Sequence, residues 1–302
     1  MSRLTHLLRS VRTPSQDHSL PPLQRPGFPV AVCWSAKSGC TTILKWFLAH
    51  NGLLEEALAY SRWVHDYRHD KLFQATGYRR QCERLYAHRS RGTSILKVIR
   101  DPATRAVSSF LHFLRYGHDI TSWPGAAALQ QWKAAMGLRD QQGVSFRQFL
   151  LFVTAQQLRR STLDIHFRPQ YNARQDARLD TVIRLEDLSA GLRAVEDRHG
   201  LPHVDIGRLS RSGHHNSATA GHAWPTLASD VPADHTTVAE LGTPPAQDFL
   251  DRDTLMLIRT AYQTDYEAYG RLYEPAPVTL QMQPATDRAR TADRHGLRRR
   301  AA

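Results

Sequence analysis

Three strand-then-helix units predict an α/β chain built on a parallel sheet. The first is the apolar run Val30–Trp34, followed after a short loop by residues 41–51, where Ile43, Leu44, Phe47 and Leu48 share one helical face. The second is the β-branched, apolar run Ser94–Ile99, with a helix running to about Tyr116. The third is residues 181–185, with a helix over 186–199 closed by Gly200. Short buried strands alternating with helices are the pattern of crossover units.

The stretch 28–51 organises the rest. Its loop reads Ser35-Ala36-Lys37-Ser38-Gly39-Cys40, and Thr41 and Thr42 open the helix. Loop amides and a helix N-terminus point at an anion there, and Lys37 adds a full charge. Ser38, Thr41 and Thr42 are short hydroxyl donors, and Gly39 permits a close backbone approach. The loop departs from the G-x-x-x-x-G-K-[ST] pattern of nucleotide hydrolases: the lysine precedes the glycine, and there is no first glycine.

The chain has 302 residues, 41% of them hydrophobic, enough for one large domain with a sizeable core. The net charge of +12 favours an anionic partner: a phosphorylated cofactor, an acidic polymer, nucleic acid or a membrane surface. Cysteines 33, 40 and 82 are too few and too irregular for a disulfide framework or a zinc site. Cys40 is open to two readings, a nucleophile at a helix N-terminus or a small loop residue. No run is apolar enough to span a membrane, and residues 1–27 read as a flexible polar arm rather than a secretory signal. That fits a reducing, cytoplasmic setting and leaves room for peripheral membrane contact.

Further along, residues 53–91 read as mostly helical, interrupted by Gly77. His65 and His69 lie one helical turn apart there, but no third ligand is near enough in sequence to suggest a metal. After the second strand, Asp101 is an N-cap candidate and Pro102 sits at the first helical position. Arg100 ends that strand, with Arg105 and Ser108 in the first turns of the helix. If the first two strands are neighbours, all three approach the crevice at the carboxyl edge of the sheet. Residues 119–143 read as a loop and a surface helix, and 145–160 as an amphipathic helix with Phe146, Phe149, Leu150 and Val153 inward. Residues 164–171 are too rich in polar and aromatic groups for plain core. Residues 201–247, which include 212–217, give the weakest signal for regular structure. Residues 248–273 return as a helix, and 274–302 read as a disordered basic tail.

In this order, the motifs resemble those of the PAPS-dependent sulfotransferases, particularly the carbohydrate branch related to sulfotransferase family 2. AKSGCTT resembles the family's 5′-phosphosulfate loop, with Ala36 where a proline is usual. VIRDPATRAVSSF resembles its 3′-phosphate motif, an arginine followed eight positions later by a serine, here Arg100 and Ser108. HFRPQY, IRLEDL and YQTDYEAYG resemble later signatures of the branch. The likeness runs from about residue 28 to 273, the expected catalytic domain.

The resemblance implies a P-loop NTPase-like three-layer fold, a central parallel sheet flanked by helices. It also implies transfer of a sulfuryl group from PAPS (3′-phosphoadenosine 5′-phosphosulfate) to an acceptor hydroxyl, on a carbohydrate in this branch. The cofactor set is then Lys37, Ser38, Gly39, Cys40, Thr41, Thr42, Arg100, Arg105 and Ser108. Lys37 would steady the leaving phosphate in the role magnesium has in kinases, so no metal is expected. His65, between the two cofactor motifs, is the first choice of base and His166 the second. Arg168, Gln170 and Tyr171 are the acceptor-binding candidates.

Two other readings compete. A P-loop kinase would use the same fold and anion loop, but lacks its lysine pattern here. A basic nucleic-acid-binding protein would suit the charge. However, 6 arginines lie after Glu274, and no recognised nucleic-acid module is present, so nucleic acid is not the expected partner.

Overall fold

The computed structural model describes residues 20–87, 92–116, 126–139, 143–158, 164–211, 224 and 228–273. The expected tail over 274–302, residues 1–19 of the expected arm, and the stretch 212–217 lie outside the described residues.

The sheet has three parallel strands in the order β1-β2-β3: β1 (Val30–Trp34), β2 (Ser94–Ile99) and β3 (Thr181–Arg184). Val30 stands opposite Ser94 and Trp34 opposite Val98, while Leu96 stands opposite Thr181. Parallel pairing demands crossovers, and helices supply them. α1 (Cys40–His50) follows β1, and α2 (Val64–Tyr67) lies in the first crossover. α3 (Pro102–Tyr116) follows β2, and α4 (Phe146–Leu158) lies in the second crossover. α5 (Leu188–His199) follows β3, and α6 (Arg252–Ala261) and α7 (Gln263–Tyr269) complete the described fold. This is the α/β architecture that the strand-helix alternation predicts, a parallel sheet flanked by helices. All three carboxyl ends share one edge.

The mostly helical stretch 53–91 is divided further, and the expected helix over 248–273 is broken. The 53–91 stretch holds Leu54–Tyr60, α2, a π-helical turn at Arg68–Leu72 and Tyr78–Ala87. The 248–273 stretch holds a 3-10 turn at Ala246–Phe249, then α6 behind an Asp251–Thr254 capping box, then α7. Asp251 satisfies the first amides of α6, which sets a new helix start inside an otherwise continuous pattern. Residues 20–24, placed by composition in the flexible arm, are packed instead, while residues 25–27 are exposed. Leu23 is buried and pairs with Val32 in an antiparallel bridge, and Tyr78 donates to the Pro22 carbonyl at 2.5 Å.

The core forms separate clusters. Ile43, Phe47, Val98, Ile183 and Leu192 join α1 and α5 to the strands. Phe110, Phe146, Phe149, Phe167 and Phe249 form an aromatic cluster among α3, α4 and α6. Buried Glu196 of α5 accepts from Trp46 Nε1 at 2.8 Å and pairs with His50 Nε2 at 3.1 Å, clamping α5 to the second half of α1. Among the described residues, no helix is long and apolar enough to cross a membrane.

Candidate active site

The loop after β1 has the backbone of an anion cradle. Lys37 is the one non-glycine residue with positive φ among the described residues, at 70°, and Gly39 follows at 77°. Such left-handed turns gather successive amides on one side. No side chain caps α1 at Gly39, so its first-turn amides remain for an external acceptor. A Cβ on Gly39 would stand 2.5 Å from Leu185 Cδ1, so both conformation and space select glycine.

These residues open into a cleft of about 770 Å³ at the carboxyl edge of the sheet. Lys37, Gly39, Cys40, Thr41 and Thr42 line it from the loop and α1, and Arg100 and Ser108 line it from the second motif. Arg100 reaches across to the first: Nη1 donates to the Lys37 carbonyl at 3.3 Å, and Nε donates to Thr104 Oγ1 at 3.2 Å. Leu185, Leu188, Ile206 and Pro244 give the cleft an apolar side. Burial, joined by the nearby guanidiniums of Arg100, Arg115 and Arg105 against the opposing effect of Cys40, lowers the Lys37 ammonium to about 8. Burial also lowers Arg100. Two desolvated cations beside uncapped amides fit a polyanion, whose arrival would favour the charged forms.

Two expected cofactor residues face elsewhere. Ser38 is buried and donates its hydroxyl to Gln170 Oε1 at 2.8 Å. Arg105 is also buried; its Nε donates to the Ala36 carbonyl at 3.0 Å, and its guanidinium lies over the Tyr262 ring. It shapes the loop from behind. The helical turn after Arg100 carries it inward while Ser108 faces the cleft.

The two candidate bases differ in setting. His65 is buried, with Nε2 3.1 Å from Thr41 Oγ1 and 3.9 Å from Cys40 Sγ. Burial, then the charges of Arg68, His69 and His166, lower it to about 3, so it is neutral at pH 7. His166 is partly exposed, and its Nδ1 lies 2.7 Å from Asp164 Oδ1. A carboxylate at that distance accepts a hydrogen bond from Nδ1–H and leaves the Nε2 lone pair directed away. His112 of α3 packs on His166, with ring centroids 4.0 Å apart, and is lowered to about 2, by burial first and then by His166 and Lys37.

The acceptor candidates also separate. Arg168 and Tyr171 line a second cavity of about 360 Å³ with Trp34, Ser35 and Ala36, on the flank of the loop. Tyr171 is exposed. Gln170 touches this cavity but is buried, and its side-chain amide is fully engaged with Ser38 and with the backbone of Arg100. Its geometry is that of a structural clamp rather than an acceptor contact.

Sequence reasoning missed four contributors. Asp164 and His112 carried local signals: the first lies two residues before His166, and the second lies one helical turn after Ser108 on the same face. Asp265 lies in the YQTDYEAYG signature, which gave it no role, and Lys97 carried no signal, because in both cases the partners are remote. Asp265 Oδ1 accepts from the amides of Gln170 at 2.7 Å and Tyr171 at 2.8 Å. Buried Lys97 donates to the Gln170 carbonyl and to Asp176, both at 2.7 Å. Among the described residues, no group of three or more His, Cys, Asp or Glu side chains is arranged to hold a metal ion.

The sequence model of a family described as Sulfotransferase family matches residues 26–274. No curated protein and no solved structure matches the chain.

Proposed function

We propose that this chain, which belongs to the sulfotransferase family, moves a sulfuryl group from PAPS to an acceptor hydroxyl, on a carbohydrate. The observation that carries the reading is the single cleft holding Lys37 and the uncapped start of α1 on one side and Arg100 and Ser108 on the other. That arrangement suits a ligand with two separated anionic groups and an apolar ring beside them. PAPS supplies the activated sulfuryl group.

Lys37, the amides of residues 39–42 and the hydroxyls of Thr41 and Thr42 would hold the 5′-phosphosulfate. Arg100 and Ser108 would hold the 3′-phosphate, and Leu185, Leu188, Ile206 and Pro244 the adenosine. As the acceptor oxygen bonds to sulfur, the bond from sulfur to the bridging phosphate oxygen breaks and that oxygen gains charge. Lys37 and the loop amides would face this charge, already in place before the reaction begins. The acceptor proton goes to a base. His166 suits that role, because Asp164 fixes its tautomer and can stabilise the imidazolium that forms. His65, neutral and bonded to Thr41, would orient the donor side of the reacting centre. Arg168 and Tyr171 would line the approach of the acceptor, and the positive charge of the chain would favour an acidic one.

The test is calorimetric titration with adenosine 3′,5′-bisphosphate, 5′-AMP and ATP, without magnesium. The expected result is micromolar binding of the bisphosphate, much weaker binding of AMP, and loss of the preference in Arg100→Ala. Binding of magnesium-ATP alone would replace this reading with a phosphotransferase.

A further inference from the structure

Gln170 is 2% exposed, and its side chain joins both phosphate motifs. Its Oε1 accepts from Ser38 Oγ and from the Arg100 amide, each at 2.8 Å. Its Nε2 donates to the Arg100 carbonyl at 2.7 Å. A side-chain amide thus pairs with both backbone groups of Arg100, as a neighbouring strand would, while its oxygen also reaches the loop that carries Lys37. The backbone of Gln170 is fixed independently, by Asp265 Oδ1 at its amide and Lys97 Nζ at its carbonyl.

We propose that Gln170 is a positioning residue: it sets the separation between the Lys37 loop and Arg100, and with it the discrimination for a ligand that carries a 3′-phosphate. The proposal rests on the reading of the cleft as the donor site. Two direct bonds also join the motifs, from Arg100 Nη1 to the Lys37 carbonyl, long at 3.3 Å, and from Arg105 Nε to the Ala36 carbonyl at 3.0 Å, but neither holds the backbone of Arg100. The Gln170 bridge is shorter, buried and backbone-anchored. Few side chains can replace it, because the position needs one oxygen accepting two protons and one nitrogen donating to a carbonyl. Alanine would leave Ser38 Oγ and both backbone groups of Arg100 without these partners. Glutamate keeps the acceptor but sets a second oxygen against the Arg100 carbonyl.

The two anionic groups of the donor lie on a rigid sugar at a fixed distance. An error in the spacing of the motifs therefore weakens a ligand that bridges them and spares one that meets a single motif. Arg168 and Tyr171 lie in the same short segment as Gln170 and line the cavity on the flank of the loop, so Gln170 also registers the acceptor face on the donor site.

The experiment compares adenosine 3′,5′-bisphosphate with 5′-AMP on the full chain, by calorimetry, in the wild type and in Gln170→Ala, Gln170→Glu and Ser38→Ala, with folding monitored by circular dichroism. In the Gln170 variants, the bisphosphate is expected to weaken about tenfold or more and AMP by less than about threefold, so the preference collapses. Ser38→Ala removes one of the three side-chain bonds and is expected to give a smaller loss in the same direction. It and Gln170→Glu decide the matter if Gln170→Ala does not fold. Folded variants that keep the wild-type preference, or lose both ligands in equal proportion, would overturn the positioning role. A wild type with no preference for the bisphosphate would instead overturn the donor-site reading beneath it.

Discussion

Asp164 Oδ1 lies 2.7 Å from His166 Nδ1 and also accepts from the His166 backbone amide at 2.8 Å, so one carboxylate oxygen fixes both the chain and the ring. The ring proton belongs on Nδ1 in this arrangement, and Nε2 is the basic atom. Asp164→Asn should let the ring adopt the other tautomer, visible in the imidazole nitrogen shifts by NMR. Transfer should then slow by about a hundredfold or more, the scale of a misplaced general base. Unchanged nitrogen shifts in that variant would remove the basis for choosing His166.

His65 should behave differently. Burial and neighbouring cations hold it at about 3, so its resonances should not titrate between pH 5 and pH 8 in the wild type. A histidine whose folded value is depressed disfavours its own protonation, so this contribution to stability is present above its ordinary value of about 6.5 and lost as pH falls below it. His65→Gln should therefore flatten part of the acid limb of a stability profile. Titration of His65 near neutral pH would contradict the burial argument.

Lys37 gives a prediction of the opposite sign. Its ammonium is lowered to about 8 in the free protein, by burial first, and a bound anion should raise it. Binding of adenosine 3′,5′-bisphosphate near pH 8 should take up protons, and affinity should fall as pH rises above that value. Calorimetry in two buffers of different ionisation enthalpy measures the uptake directly. Lys37→Arg should show almost none, because a guanidinium stays charged throughout.

Gly39→Ala should weaken the bisphosphate and destabilise the fold by about 1–3 kcal/mol, from positive φ and from the collision with Leu185. Trimming the obstacle in Leu185→Ala should recover only the steric part. If Gly39→Ala matches the wild type in melting temperature and in affinity, the loop is not held in the conformation described.

Lys97 and Asp176 form a buried pair at 2.7 Å behind the acceptor segment, and the Tyr269 hydroxyl donates to the same carboxylate. Lys97→Ala should lower stability by about 3 kcal/mol, because Asp176 loses its cation while remaining partly buried. Asp176→Asn combined with Lys97→Met should recover much of that loss, as removal of both charges ends the desolvation penalty. Denaturant unfolding of the single and double variants provides the comparison.

The strand-helix units, the anion loop and the Arg100–Ser108 spacing were all legible in the sequence. Each is encoded locally: apolar periodicity marks a strand or a helical face, and a lysine before a small-residue turn marks a place for an anion. Tertiary structure decided where the loop and near-loop side chains point. Ser38, Arg105 and Gln170 are polar residues in or next to the motifs, yet they turn inward to hold the loop rather than its ligand. Their partners fix this: Ser38 and Gln170 are 132 positions apart, and Gln170 and Asp265 are 95 apart. Sequence alone likewise left two histidines competing for the base, because a tautomer depends on the atom beside the ring. Local pattern determines which elements form and which residue types reach the sheet edge. The hydrogen bonds made across the folded chain determine which of those residues remain available to a substrate.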